Sequence, residues 1–388
     1  MNNIAEFQTA EKILPPQIIS ESAERDNLRR LMIGLVAVLI CIGVQMVQSA
    51  SLTSRPSEQD AVFLSKHLTY LAVSLLFGFV ASRISTAWLQ KNSTTLFGGL
   101  VFLLTILLVP GIGSRINGAQ RWLRFGGLSL QPSELGRIIL PLMAATIICN
   151  RRAAGFSLST VPATLMPLLV LPLVAIEPDL GATVFLGSGF ILALFLGGWP
   201  LRYFIGCAML FIPAAASLLI LKPYQMERIR GFMAAWQDLS QAPWQVRQSL
   251  LSIGSGGLKG TGIGGGWQKL SYLPEANTDF VFAVIGEELG LLGTMTVCFV
   301  WVALFLTGRA ALKHLPRTSF AWIFGTTLLL QLVLQAMANI AVVTGLVPPK
   351  GVPHPFISYG GTNLLVSVTA IGLIIGMSRS CDHQNVDA

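Results

Sequence analysis

Asp279 is the residue whose type and position most invite chemistry. It follows Tyr272-Leu273-Pro274-Glu275-Ala276-Asn277-Thr278 and precedes a long apolar stretch. Thr278 is placed to cap a helix there, so the carboxylate falls at the edge between water and hydrocarbon. Such a group is either a partner of the helix dipole or a functional acid, and the cost of charge at a membrane rim favours function. Glu287 and Glu288 follow two turns deeper, about 12 Å along the axis. They are either paired inside a bundle or part of a polar path.

Three other clusters mix polar and turn-forming residues, and a glycine-rich stretch leads into the Asp279 cluster. The first runs Asn117-Gly118-Ala119-Gln120-Arg121-Trp122-Leu123 and then Gln131-Pro132-Ser133-Glu134-Leu135-Gly136-Arg137. Pro132 fits the start of a helix, and Glu134 and Arg137 at i,i+3 can pair. Arg121 beside Trp122 suits a phosphate or an anionic headgroup. The second, Glu177-Pro178-Asp179-Leu180-Gly181, offers two carboxylates, yet reads first as a turn and helix start. The glycine-rich stretch holds Gln245, Gln248, Ser249, Lys259 and Lys269. Its glycines and lysines could cradle phosphate, although the residue order is not that of a nucleotide loop. The last cluster, from Pro348 through Ser358, Tyr359 and Gly360 to Gly361, is too rich in proline and glycine for regular helix. Irregular backbone at membrane depth must line a cavity or be covered by protein. His354 lies between prolines with no metal-ligand spacing around it, and reads as a hydrogen-bonded loop residue.

The elements that must hold these clusters are apolar. Of 388 residues, 53% are hydrophobic and 11% charged, and mean hydropathy is +0.67. That excludes a soluble enzyme, a disordered regulator and a nucleic-acid binder. The net charge of +8 sits between apolar runs, as orientation signals do. The five cysteines show no metal or CxxC spacing and read as packing residues apart from Cys381 in the tail. A hydrocarbon core takes about 20 helical residues to cross. About ten runs qualify, near 31–51, 66–82, 94–110, 133–149, 161–177, 179–198, 201–221, 279–307, 319–343 and 363–378.

The expected fold is therefore an all-α polytopic membrane protein. A transmembrane domain over 31–379 would be flanked by cytoplasmic tails at 1–30 and 380–388, with no cleavable signal. Lys and Arg in the short connections place both termini inside. A large extracytoplasmic loop, 222–278, would join the seventh and eighth spans; it carries Tyr224, Trp236, Trp244, Trp267 and Tyr272. Val246, Leu250 and Ile253 predict an amphipathic helix over 243–253 on the membrane surface. In this topology all four polar clusters face the outer side.

These motifs together, in this order, resemble the SEDS family of FtsW, RodA and SpoVE across roughly residues 31–379. Tyr272 to Ala276 and Ala283 to Gly290 are more similar to the FtsW branch than to the RodA branch. The resemblance implies about ten transmembrane helices in the bacterial inner membrane. It also implies a glycosyltransferase that polymerises lipid II into β-1,4 glycan strands at the outer face, for septal wall synthesis in cell division. A class B penicillin-binding protein would be the partner transpeptidase. Asp279 matches the family's essential aspartate and becomes the expected catalytic residue. The expected substrate-binding set is Arg121, Glu134, Gln245, Gln248, Ser249, Lys269, Glu275, Ser358, Tyr359, Gly360 and Gly361. The sequence departs from the pattern at Arg137, Pro243-Trp244, Asn277, His354 and Thr362-Asn363.

The chemistry implied is an inverting transfer from a glycan on undecaprenyl pyrophosphate to a sugar hydroxyl of lipid II. Asp279 would take or orient the hydroxyl proton, while Arg121, Lys269 and Lys259 would offset the charge of the leaving pyrophosphate. A free aspartate, with a pKa of about 3.9, is a weak base. Partial desolvation would help it; a divalent cation, Mg2+ or Mn2+, shared with Glu134 or Glu275 is the alternative aid. The rival readings are a lipid II flippase or other transporter, a RodA-like elongation polymerase, and a non-catalytic scaffold.

Overall fold

The computed structural model describes residues 16–51, 58–109, 111, 113–116, 119–125, 128–152, 155–177, 179–209, 232–233, 238, 240, 242–270, 273–348 and 350–384. Several expected features lie outside the described residues: 1–15 of the first tail, 385–388 of the second, 210–221 of the seventh span, and most of 222–241. Asn117, Gly118, Pro178, Ser271, Tyr272 and Pro349 lie outside them too.

The described chain is mostly helical: α1 (Pro16–Ser51), α2 (Glu58–Ala81), α3 (Thr86–Leu107), α4 (Pro132–Arg152), α5 (Val161–Leu165), α6 (Val170–Ile176), α7 (Leu180–Leu196), α8 (Trp244–Gly256), α9 (Val281–Leu312), α10 (Phe320–Val343) and α11 (Gly361–Gln384). Among the described residues, seven helical stretches are long and apolar enough to cross a membrane, and Gly181–Leu196 is a shorter apolar helix. The chain is a multi-pass membrane protein. Exposed side chains such as Leu292, Met295, Phe299 and Phe102 give it an apolar outer surface, as a lipid-facing surface requires.

The structure corrects the sequence expectation in four places. Between α3 and α4 lies an antiparallel three-stranded sheet, β1 (Ser114–Ile116), β2 (Ala119–Phe125) and β3 (Leu128–Leu130), so the fold is not purely α. Leu123 pairs with Leu130 and Arg124 with Ser129; Leu123 turns inward and Arg124 outward, the period-two alternation of a strand. The first helix begins at Pro16, so residues 16–30 of the expected tail are helical. The stretch 158–176 is broken at Pro162, Pro167 and Pro172 into α5, α6 and 3-10 turns at Leu158–Thr160 and Met166–Leu169, because proline removes a helical donor and crowds the preceding turn. Finally, α8 forms as predicted but packs into protein: Val246, Gln248, Ser249, Ser252 and Gly256 are its buried residues. A Cβ on Gly256 would collide with the Gly286 carbonyl, so only glycine permits that approach to α9.

Arginines tie one end of the bundle together. Arg29 on α1 donates to Ser378 Oγ at 3.0 Å near the end of α11, and Arg152 at the end of α4 donates to Gly197 O at 2.8 Å after α7 and to Thr318 O at 3.2 Å before α10. The starts of α4, α9 and α11 and the end of α10 meet at the opposite end, where the polar clusters gather.

Candidate active site

Asp279 stands two residues before α9, in a turn built from Glu275 at φ 55. The helix begins at Val281 with no side-chain cap; the Thr278 hydroxyl instead donates to Glu275 Oε2 at 2.8 Å. The expected capping role of Thr278 is therefore not realised. Asn339 on α10 donates to the Asp279 carbonyl and to Val352 O, both at 2.7 Å, and so joins two irregular segments. A Cβ on Gly351 would lie 2.7 Å from Asp279 Oδ2, so the carboxylate faces bare backbone. Its pKa is pushed up to about 7, first by burial and then by the carboxylates of Glu275 and Asp179. Asp279 is half-buried and Glu275 exposed.

The fourth cluster folds over this turn. Ser358 Oγ donates to Thr278 O at 2.6 Å and accepts from His354 N at 2.7 Å. Tyr359 N donates to Asn277 O at 2.8 Å. Gly360 and Gly361 lead into α11, and Gly361 lies against the Tyr70 ring, where any Cβ would clash. His354 is fully buried, stacked on Phe282 with ring planes 2° apart, and Nδ1 meets Pro355 O at 3.0 Å. Burial lowers its pKa to about 4, so it is a neutral packing residue.

The first two clusters supply the other wall. Asp179 caps α7 through Ala182 N at 2.9 Å, while its Oδ2 meets Gln131 Nε2 at 3.2 Å and Arg121 Nη1 at 3.4 Å. Arg121, on β2, also donates from Nε to Glu177 O at 2.7 Å. The cation expected to face substrate is thus partly engaged by protein. Glu177 is buried and, among the described residues, neither carboxyl oxygen has a hydrogen-bond partner. Burial, then the negative Asp179, push its pKa up to about 7 against the opposing pull of Arg121. Glu134 pairs with Arg137 at 2.5 Å, and Arg137 reaches Asn363 Oδ1 at 2.8 Å and also Gln335 Oε1.

Other expected residues are directed elsewhere. Lys269 is buried against Glu288 and Ser49, so its ammonium is taken up by protein rather than held open to a pyrophosphate. Ser249 donates to Val343 O at 2.6 Å, and Gln248 is buried on the same packed face of α8; both anchor the helix. Gln245 is half-buried in its first turn. The glycine-rich loop cradles no phosphate with its N–H groups at 264, 267 and 268, because Glu287 and Glu288 accept from them. Sequence reasoning undervalued Asp179 and missed Gln335 and Asn339. Their signal was present: Gln331, Gln335 and Asn339 repeat every fourth residue, putting three amides on one stripe of an apolar helix.

Comparison with known proteins adds to this geometry. The FtsW/RodA/SpoVE family model, described as cell cycle protein, matches residues 29–383. A relative from Legionella pneumophila, named probable peptidoglycan glycosyltransferase FtsW, is 36% identical over 362 residues, covering 91% of this chain and 90% of its own length. One of the same name from Geobacter metallireducens is 36% identical, covering 90% and 94%. Among solved structures, a chain described under "Structural coordination of polymerization and crosslinking by a peptidoglycan synthase complex" aligns with a TM-score of 0.72 at 26% identity, covering 90% of this chain and 96% of that one. The rod shape determining protein RodA of Thermus thermophilus aligns with a TM-score of 0.64 at 26% identity, covering 90% and 95%.

Proposed function

The chain belongs to the FtsW/RodA/SpoVE family of cell cycle proteins, and from that membership we propose that it is a peptidoglycan glycosyltransferase of the FtsW kind. It polymerises lipid II into β-1,4-linked glycan for septal wall synthesis. The observation that carries the reading is Asp279: a half-buried carboxylate with its pKa raised to about 7, set where the four polar clusters meet. An aspartate tuned to neutrality is a far better base than a free one.

In the proposed step, Asp279 takes the proton from the acceptor sugar hydroxyl. That oxygen forms a bond to the donor's anomeric carbon while the bond from that carbon to the undecaprenyl pyrophosphate breaks. Arg121, half-buried and held loosely by Asp179 at 3.4 Å, turns toward the departing diphosphate. Glu275, Tyr359 and the backbone at Gly360 and Gly351 border the acceptor side. The step is written without the divalent cation considered from sequence, for which the described residues hold no ready-made cage of protein ligands. Glu134 gives an oxygen to Arg137, and among the described residues no three His, Cys, Asp or Glu side chains converge on one point. No step is routed through a metal.

The full topology belongs to the same proposal: about ten spans in the bacterial inner membrane, both termini cytoplasmic, and the 222–278 loop outside. Its support is that Arg29 of α1 and Ser378 near the end of α11 are tied together at the end opposite the site. A class B penicillin-binding protein is the proposed partner, in keeping with the synthase complex among the matched structures. The test is the purified chain, with and without that transpeptidase, given lipid II in detergent and in sealed vesicles. Glycan strands are expected. Protected lipid II without polymer would favour transport, and neither activity would leave a scaffold.

A further inference from the structure

At Gly290 the long helix α9 is broken, with φ 64 and ψ −161. A break orphans carbonyls on one side and N–H groups on the other, and the glycine-rich loop fills both gaps. Thr261 N and Gly262 N donate to the carbonyls of Glu287 and Glu288 at 2.9 and 3.0 Å, while Leu291 N and Leu292 N donate to Gly257 O and Leu258 O at 2.9 and 3.2 Å. The two glutamate side chains hold the same loop. Trp267 N and Gln268 N reach Glu287 Oε1 at 2.6 and 3.1 Å, and Gly264 N reaches Glu288 Oε2 at 3.0 Å. Lys269 then donates to Glu288 Oε1 and, at 2.6 Å, to Ser49 Oγ on α1, which bonds the Glu288 carboxylate at 2.7 Å. Both ionic side chains are 0% exposed.

Asp279 lies between these partners in sequence. Lys269 fixes the chain entering its turn, and Glu288 fixes the far end of the buried helical segment 281–289 that leaves it. We propose that the Lys269–Ser49–Glu288 triad is a positioning device for the transfer reaction, clamping both arms of the turn so that Asp279 is held at the acceptor hydroxyl. Ser49 makes α1 the fixed reference, and Gly290 is the joint about which the segment pivots when the clamp is open. The helical lever from Glu288 to Val281 is about 10 Å at 1.5 Å per residue, with Asp279 carried beyond its tip, so a small rotation at Gly290 moves the carboxylate by the roughly 1 Å that can cost about a hundredfold in rate. The inference rests on Asp279 being the base.

Lipid II polymerisation by the full-length chain tests it, with kcat normalised to folded enzyme and thermal stability measured in parallel. Lys269→Met is expected to lower kcat at least tenfold, about 1.4 kcal/mol in the barrier, with KM unchanged. The double variant Lys269→Met/Glu288→Met removes both buried charges. It is expected to recover thermal stability but not kcat, the result a purely structural pair would not give. Wild-type kcat per folded molecule in either variant overturns the proposal, and so does recovery of kcat together with stability in the double variant. Asp279→Asn is run alongside. If it is inactive while Lys269→Met is fully active, the clamp fails and the base stands; if Asp279→Asn is active, the base reading itself fails.

Discussion

Asp279 and Glu288 bracket one buried helical segment, and their surroundings are opposite. Glu288 is fully buried, yet an ammonium, a hydroxyl and a backbone N–H compensate it. Asp279 is only half-buried, but its nearest charged neighbours are carboxylates and it faces bare backbone at Gly351. Depth alone therefore does not mark the acid proposed to react. A carboxylate with its partners in place is held still, whereas one left under-compensated has proton affinity to spend on a substrate.

The comparison can be broken most sharply at Asp279. Asp279→Asn keeps the shape and removes the proposed base; polymerisation of lipid II should fall by roughly 10²–10⁴ or more, with unfolding temperature and membrane insertion unchanged. At the other end, Glu288→Gln leaves the Lys269 ammonium buried without a counter-ion. The expected loss of stability is about 3 kcal/mol, read as a lowered midpoint of thermal unfolding in detergent.

Glu177 tests whether an uncompensated carboxyl costs stability where it does no chemistry. Its folded-state pKa of about 7 lies above its usual 4.5, so folding favours the protonated form, and stability is lost as pH rises across that window. Glu177→Gln, neutral at every pH, should stabilise the protein by about 3 kcal/mol at pH 8 and hardly at all at pH 4; equal effects at both pH values would refute the linkage. The smallest effect is expected at Glu275. The rate should rise with pH through about 7 as Asp279 ionises. Glu275→Gln removes a negative neighbour and should move that limb toward acid by a few tenths of a pH unit, seen in the pH dependence of kcat/KM.

Much of this architecture was legible because a bilayer constrains sequence so strongly. Apolar runs located most of the spans, and the polar segments at 131–137, 177–181, 273–280 and 350–361 do gather at one end of the bundle. The Glu134–Arg137 pair followed from spacing. The sheet at 114–130 was not legible, because strands of three and seven residues give too little periodicity beside helices of twenty. Lys269 was misread for a different reason. A lysine in a glycine-rich loop looks like an anion ligand, and nothing local reveals that its anion is the protein's own Glu288.

Residue order by itself determined that the chain lives in a membrane, roughly where most of its apolar helices run, and which acid heads the eighth expected span, because hydrophobicity is a local property. Which charges are cancelled and which are left unbalanced was decided only by the tertiary structure. Electrostatic compensation depends on distance in space, and the groups that matter, such as Asp179 for Asp279 or Ser49 for Lys269, lie far apart in the chain.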